Sequence, residues 1–589
     1  MRLLTIVVAA LCAFLLASCS MQKLRVDLIL LHGHFETLDK RLPDAGAVAV
    51  NGGRIVGVGT NSEIESHFQG ALVIDLKGSY VYPGLIDGHA HMVALGVSLS
   101  TIDLMKAESP EDISILIRDA AARTKPGRWI RGSGWNPSIW PGVDFQAAKI
   151  LDKVAGNDFV FLISSDGQAA WVNSKVLKLA GITRSTPNPN GGRIIKDRKG
   201  NPTGILAGSA IDLVTSKIPP PSETEIEDAI VLASDTCARY GITEVQDAGI
   251  DGATLKAYER LDRTGRLRIR IYAMYNGNDS TLPAILKKGP VKTADGYFTM
   301  RSIRVDMDGT LRSREAALVH AYSDDPGNYG MTLMGGKDLE NLTVAALASG
   351  FQVCTEAHGD RAISVVLRAY THALHIADIP DARLRIEGVG VILPRDVDEF
   401  AKLGILPSMQ PAACISDMYW IESLLGPERT KFWDMWKSLL DSGAIIIGGS
   451  DFPYQSPDPR LGIYAAVTRR DPNGLPRSFE EAKAYFSLSS DAAADSSDFH
   501  DGFFPSQAMS IHDALNAFVK WPAYAAFQEN VKGSISIRKY ADFTFFSNDI
   551  RRVPPRKILS DRILGTFVGG KLVYASPLWS QVSIVDSRN

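Results

Sequence analysis

The stretch Pro83-Gly84-Leu85-Ile86-Asp87-Gly88-His89-Ala90-His91 decides how this chain is read. A largely apolar run, Val73 to Val81, leads to its Pro-Gly turn signal. On a strand, residues i and i+2 point to one face. His89 and His91 therefore converge on one point, as two imidazole ligands of one metal must. The spacing alone is weak, because His32-Gly33-His34 repeats it in another setting. What singles out the first pair is context. Pro-Gly-Leu-Ile-Asp-Gly precedes it, and Gly448-Gly449-Ser450-Asp451-Phe452-Pro453 answers it far downstream with a carboxylate.

Between these two signals, β runs alternate with helical patterns. Ile226 to Tyr240 leads into Ile242-Thr243-Glu244-Val245, and Asp338 to Ala348 into Gln352-Val353-Cys354. Val397 to Leu403 leads into Ile405-Leu406-Pro407, and Phe432 to Leu440 into Ile445-Ile446-Ile447. Such alternation predicts an α/β fold with a parallel sheet. With the two end motifs it predicts a (β/α)8 TIM-like barrel over 83–530, its site at the C-terminal strand ends. Residues from about 99 to 219 exceed what a barrel loop needs. They carry Trp129, Trp135, Trp140 and Trp171 and read as an inserted subdomain over the mouth with a tryptophan-rich core. Ser487 to Ser506 reads as a solvated loop.

Outside the barrel the pattern is short β runs. Val26 to Leu31, Ala47 to Val50, Arg54 to Val58 and Ala71 to Leu76 lie on one side of it, with Asn51-Gly52-Gly53 as a hairpin signal. Ala541 to Phe546, Ile563 to Val568 and Lys571 to Tyr574 lie on the other.

A chain of 589 residues, 45% hydrophobic and 22% charged, is ample for several domains. A formal net charge of −3 gives no reason to expect nucleic acid. Leu3 to Leu16 is too short for a comfortable membrane span and has signal-peptide length. Leu16-Ala17-Ser18-Cys19 then resembles the lipobox of bacterial lipoproteins. That resemblance implies a signal peptide over 1–18, acyl chains on Cys19 and firm attachment to a membrane. By the same analogy Ser20 directs the chain to the periplasmic face of the outer membrane. Cys237, Cys354 and Cys414 do not read as a disulfide framework.

Further segments resemble the amidohydrolase superfamily of metal-dependent hydrolases. The likeness is to its amidohydrolase-3 branch, with N-substituted formamide deformylase and D-aminoacylase relatives. They are Gly132-Ser133-Gly134-Trp135-Asn136, Asp166 to Ser174, Pro202-Thr203-Gly204-Ile205-Leu206, Asp308-Gly309-Thr310, Gly359-Asp360-Arg361-Ala362, Gln410-Pro411 and Gly533-Ser534-Ile535. The resemblance implies that the two chain ends, 26–82 plus 531–580, pair into a β-sandwich flanking the barrel. The sequence departs from the branch at the site. Arg304 stands where a lysine, often carboxylated to bridge two metals, is expected, and a guanidinium cannot become a carbamate. Glu356 and Gly388 stand where histidines are expected, Gln168 where Asp-Gly-His ends, and Ala413 after Gln-Pro-x.

His89, His91 and Asp451 keep their types. Arg304, Asp306 and Asp308 share a strand face by alternation, as do Cys354, Glu356 and His358. A fixed cation at Arg304, held by Asp306 or Glu356, could occupy the electrostatic place of a second metal. That leaves one divalent metal, zinc by its ligand types, bound by His89, His91, Glu356 or His358, and Asp451. Asp451 is the expected catalytic base, and Arg304, Asp306 and Asp308 the expected substrate-facing or electrostatic groups. The expected reaction is hydrolysis of a C–N bond in a small amide, N-acyl or N-formyl compound. The competing expectation is an inactive barrel that binds a small molecule at the cell envelope. The superfamily resemblance also allows a homodimer.

Overall fold

The computed structural model describes residues 23–123, 127–136, 147–165, 167–477, 501–581 and 583–585. Cys19, Trp140, Asp166 and most of the Ser487–Ser506 stretch lie outside the described residues. The chain divides into two compact units, Met1–Met92 with Ser234–Asn589, and Val93–Ala233.

In the first unit, runs of Val, Ile, Leu and Ala buried along both faces form parallel strands, as a sheet covered on both sides requires. Eight of them pair in chain order: β1 (Leu85–Ala90), β2 (Ile242–Ile250), β3 (Arg270–Asn276), β4 (Phe298–Asp306), β5 (Gln352–Glu356), β6 (Arg385–Glu387), β7 (Leu406–Met409) and β8 (Ile447–Gly448). Each neighbouring pair is parallel. The circle closes just beyond the ladder. Asp451 N–H donates to the His89 carbonyl at 2.8 Å, and His91 N–H to the Phe452 carbonyl at 3.0 Å. The closure depends on Gly88, where a Cβ would lie 2.7 Å from the Gly448 carbonyl oxygen. This is the TIM-like barrel that the strand–helix alternation predicts.

Two more sheets belong to the same unit. One holds Leu24–Leu31, Ala47–Asn51, Arg54–Gly59, Phe68–Asp75 and Ser583–Val585. Its hairpin turns on Gly52 and Gly53, both at positive φ, as a two-residue turn needs. The other joins the two ends of the chain: Tyr80–Pro83 pairs antiparallel with Phe543–Phe546, with Phe543 opposite Pro83. Leu28, Leu30 and Val48 of the first sheet share a hydrophobic cluster with Phe35, Phe543 and Phe567 of the second.

The second unit carries a six-stranded mixed sheet. Trp135 and Trp171 are buried in it and meet edge to face at 6.3 Å, while Trp129 stacks on Phe159. Within this unit the helices at its two borders, Met92–Ser100 and Glu223–Arg239, approach closely at Gly96, where a Cβ would lie 2.0 Å from the Ala229 carbonyl oxygen.

Candidate metal centre

The C-terminal ends of β1, β4, β5 and β6, with the loop after β8, bring one cluster of polar side chains together. His89 is the buried member. Its Nδ1 lies 2.8 Å from Glu387 Oε2, so that carboxylate fixes the ring and leaves Nε2 facing the barrel mouth. His89 Nε2 is 3.8 Å from Asp451 Oδ1, and His91 Nε2 is 3.2 Å from the same oxygen. One donor atom from each of His89, His91 and Asp451 falls within 4.8 Å of the others. Two imidazole nitrogens and a carboxylate oxygen suit a divalent transition metal.

Local geometry aims Asp451. Asp87 Oδ1 accepts from the His89 and Ser450 N–H groups at 3.2 and 3.0 Å, and Asp87 Oδ2 accepts from Ser450 Oγ at 2.5 Å. The two metal-facing segments are thereby stitched to each other. Asp451 itself sits at φ 58°, a left-handed conformation that Asp tolerates better than most residues. Strained backbone of this kind is held only where the surroundings over-determine it.

Arg304 lies beside this triad. Its Nη2 is 2.8 Å from Glu356 Oε2 and 2.8 Å from Asp306 Oδ1. The guanidinium thus bonds both carboxylates that the sequence offered as alternatives. Glu356 Oε2 is also 3.8 Å from His89 Nε2, and Glu356 Oε1 faces His358 Nε2 at 3.3 Å. Glu356 therefore borders the triad, bonded to Arg304 on one oxygen and facing His358 with the other. Asp308 is placed differently: its carboxylate accepts from the N–H groups of Ala317, His358 and Gly359 at 2.7, 2.9 and 3.0 Å. It organises the loops that carry His358.

The charges are mutually consistent. Burial alone would depress the His89 imidazole, but Glu356, Glu387 and Asp451 raise its pKa to about 9. Burial likewise works against protonated His358, and Glu356 lifts its pKa to about 9. Burial would raise the Glu356 carboxyl, yet Arg304 and the two imidazoles hold it well below the usual range. A pocket that draws positive charge onto an imidazole is one that attracts a cation.

Gly388 explains how the missing histidine is accommodated. It has φ 64°, and a Cβ there would lie 2.5 Å from His358 Cε1 and 2.8 Å from Glu356 Oε1. The His358 ring occupies the space into which a side chain at 388 would project. Gly388→Ala should therefore lower the melting temperature, adding a left-handed penalty of about 1–2 kcal/mol to the steric conflict. A thermal melt unchanged from the parent would show that His358 can step aside.

Glu387, Arg385 and Asp87 join the site although no motif spacing marks them as candidates. Arg385 Nε lies 2.6 Å from Glu387 Oε1, and its Nη2 donates to the Gly88 carbonyl at 2.8 Å. The signal was present as Arg385-Ile386-Glu387: opposite charges two residues apart in an apolar strand share one face and must be paired when buried. His32 and His34 lie on the flanking sheets, against Asp75 and Tyr80.

With this geometry in place, the relatives can be set beside it. The family model described as Amidohydrolase family matches residues 72–574. Protein LONG AFTER FAR-RED 3 of Arabidopsis thaliana is 31% identical over 93% of this chain and 91% of its own length. N-substituted formamide deformylase of Arthrobacter pascens is 25% identical over 93% of this chain and 98% of its own. An uncharacterized metal-dependent hydrolase from Pyrococcus horikoshii shares the fold, with a TM-score of 0.69 and 24% identity over 90% of this chain and 99% of its own. The chain belongs to the amidohydrolase family, and that membership supports a hydrolase.

Proposed function

We propose that this member of the amidohydrolase family hydrolyses a C–N bond in a small amide, N-acyl or N-formyl compound at a single-metal site. The observation that carries the reading is the convergence of His89, His91 and Asp451 beside a position already filled by the Arg304 guanidinium. The substrate class is suggested by the formamide deformylase relative.

His89, His91 and Asp451 would hold the ion, with Glu356 and His358 at its border. Zinc fits two imidazoles and a carboxylate, and when bound it supplies Lewis acidity against the oxyanion of the substrate carbonyl. The chain's own groups do the rest. Asp451 is partly open to solvent and takes the proton of the attacking water, then passes it to the leaving nitrogen. Arg304 contributes a permanent positive charge and holds Asp306, which is open enough to meet substrate. Glu387 holds the His89 ring in the orientation that presents Nε2. Glu387→Gln should weaken zinc binding about 10–100-fold, read by competition with a chromophoric chelator. An unchanged affinity would remove Glu387 from the account.

The reading is tested by incubating the zinc-loaded chain with a panel of N-formyl and N-acyl amines and measuring free amine. Release that Asp451→Asn abolishes is the expected result. A metal-bound chain that releases no amine from any of them overturns it. We further infer that acyl chains on Cys19 hold the protein to the cell envelope, at the periplasmic face of the outer membrane; the Leu16-Ala17-Ser18-Cys19 pattern supports this.

A further inference from the structure

The first flanking sheet is edged by large aliphatic side chains that nothing among the described residues covers. Leu24 is 65% exposed, Leu42 40% and Ile537 58%. Single exposed aliphatics are ordinary, but these three line one groove of about 600 Å³, together with the apolar Val56, Val58 and Phe68.

Their neighbours in sequence repeat one theme. The three tips occur as Lys23-Leu24-Arg25, Lys40-Arg41-Leu42 and Ile537-Arg538-Lys539. Three segments far apart in the chain thus each place an aliphatic tip beside exposed cations, two in the first and second and one in the third, where Lys539 is half-buried and donates to the Lys532 carbonyl at 3.0 Å. Lys23, Arg25, Lys40, Arg41 and Arg538 are exposed. Acidic groups of the same segments offset much of this: Asp27, Asp44 and Glu65 are also exposed, Asp39 faces Arg41 at 3.2 Å, and the Glu63 carboxylate on the groove wall accepts the Thr60 N–H and hydroxyl at 2.8 Å. Aliphatic tips with basic flanks are what a lipid–water interface selects: the tips enter the acyl boundary and the cations meet phosphates.

The position in the chain agrees. Cys19 is five residues before Leu24, so covalent geometry keeps its Cα within roughly 18 Å of the Leu24 Cα. We propose that this face docks on the anionic phospholipid surface of the membrane, an inference that rests on the reading of Cys19 as the lipid anchor. The tether makes docking intramolecular, so contacts too weak to recruit a free protein suffice to orient a tethered one.

The test uses the full chain, expressed with its leader and reconstituted into phosphatidylglycerol–phosphatidylethanolamine vesicles. An environment-sensitive NBD probe is attached at Ile537→Cys or, as a control on an exposed barrel helix, at Lys402→Cys. Cys237, Cys354 and Cys414 are buried, and the parent chain treated with the same label corrects for any reaction at an unacylated Cys19. Intact mass reports acylation of Cys19 independently. The proposal expects a blue-shifted, brighter probe at 537 and an aqueous one at 402. It also expects the response to be lost in Leu24→Asp/Leu42→Asp, which melts like the parent, and when phosphatidylcholine replaces the anionic lipid. An acylated chain whose 537 probe stays aqueous, or responds equally in phosphatidylcholine, overturns the docking face while leaving the anchor intact. A 537 response without acylation overturns the anchor and supports the face; absence of both overturns both.

Discussion

Asp451→Asn should lower kcat for amide hydrolysis by about 10²–10⁴-fold, the range in which one general acid–base group contributes. The substitution keeps the side chain's shape, and Asn tolerates the left-handed backbone of this position as well as Asp does. The Asp451 N–H donates to the His89 carbonyl through the main chain and is unaffected. The loss would therefore report on the carboxylate: its proton transfer and its charge toward the ion. Steady-state kinetics at saturating zinc, with the zinc content and a thermal melt of the variant beside them, separate lost proton transfer from a lost ion or a lost fold. A stable variant that keeps more than a tenth of parental kcat would remove Asp451 from the chemistry.

The second large effect is on stability. Arg304→Met should destabilise the fold by at most about 3 kcal/mol, the lower end of what breaking a fully buried ion pair costs, because these groups are only part-buried. Glu356 and Asp306 would lose the cation they share, although His358 still faces Glu356. The Glu356 carboxyl, held low by that guanidinium and by the two imidazoles, would shift upward. Adding Glu356→Gln should recover a large part of the loss, because the penalty comes from the orphaned charge more than from the missing bond. Urea denaturation of the two variants checks this. Equal stability of Arg304→Met and the parent would mean that solvent compensates the carboxylates, and that Arg304 does not hold the site together.

These effects trace to features of unequal visibility in the sequence. The barrel was legible because strand–helix alternation repeats over hundreds of residues and two motifs mark its first and last strands. The pairing of His89 with His91 was legible from period-two spacing, and Asp451 from its Gly-Gly-Ser-Asp context. Arg304 could be recognised as a cation unable to become a carbamate, but its simultaneous hold on Asp306 and Glu356 depends on β4 and β5 lying side by side, with Asp306 opposite Glu356. The fate of Asp308 was not legible: alternation put it with Arg304, yet the strand ends at Asp306 and the chain turns, so its carboxylate meets backbone N–H groups instead. The role of Gly388 was hidden for a related reason. Sequence shows only that a histidine is missing, whereas the structure shows an imidazole from two residues beyond β5 filling that space. Compensation between strands is a three-dimensional property, and no spacing rule along one chain records it.

The central claim is that Arg304 stands in for a second metal and that His89, His91 and Asp451 hold one. Its most direct test is the metal content of the chain from Ser20 onward, by inductively coupled plasma mass spectrometry after zinc reconstitution and desalting. The account predicts one equivalent of zinc per chain, lost in His89→Ala. Two equivalents retained with comparable affinity, or none in the parent, would contradict it.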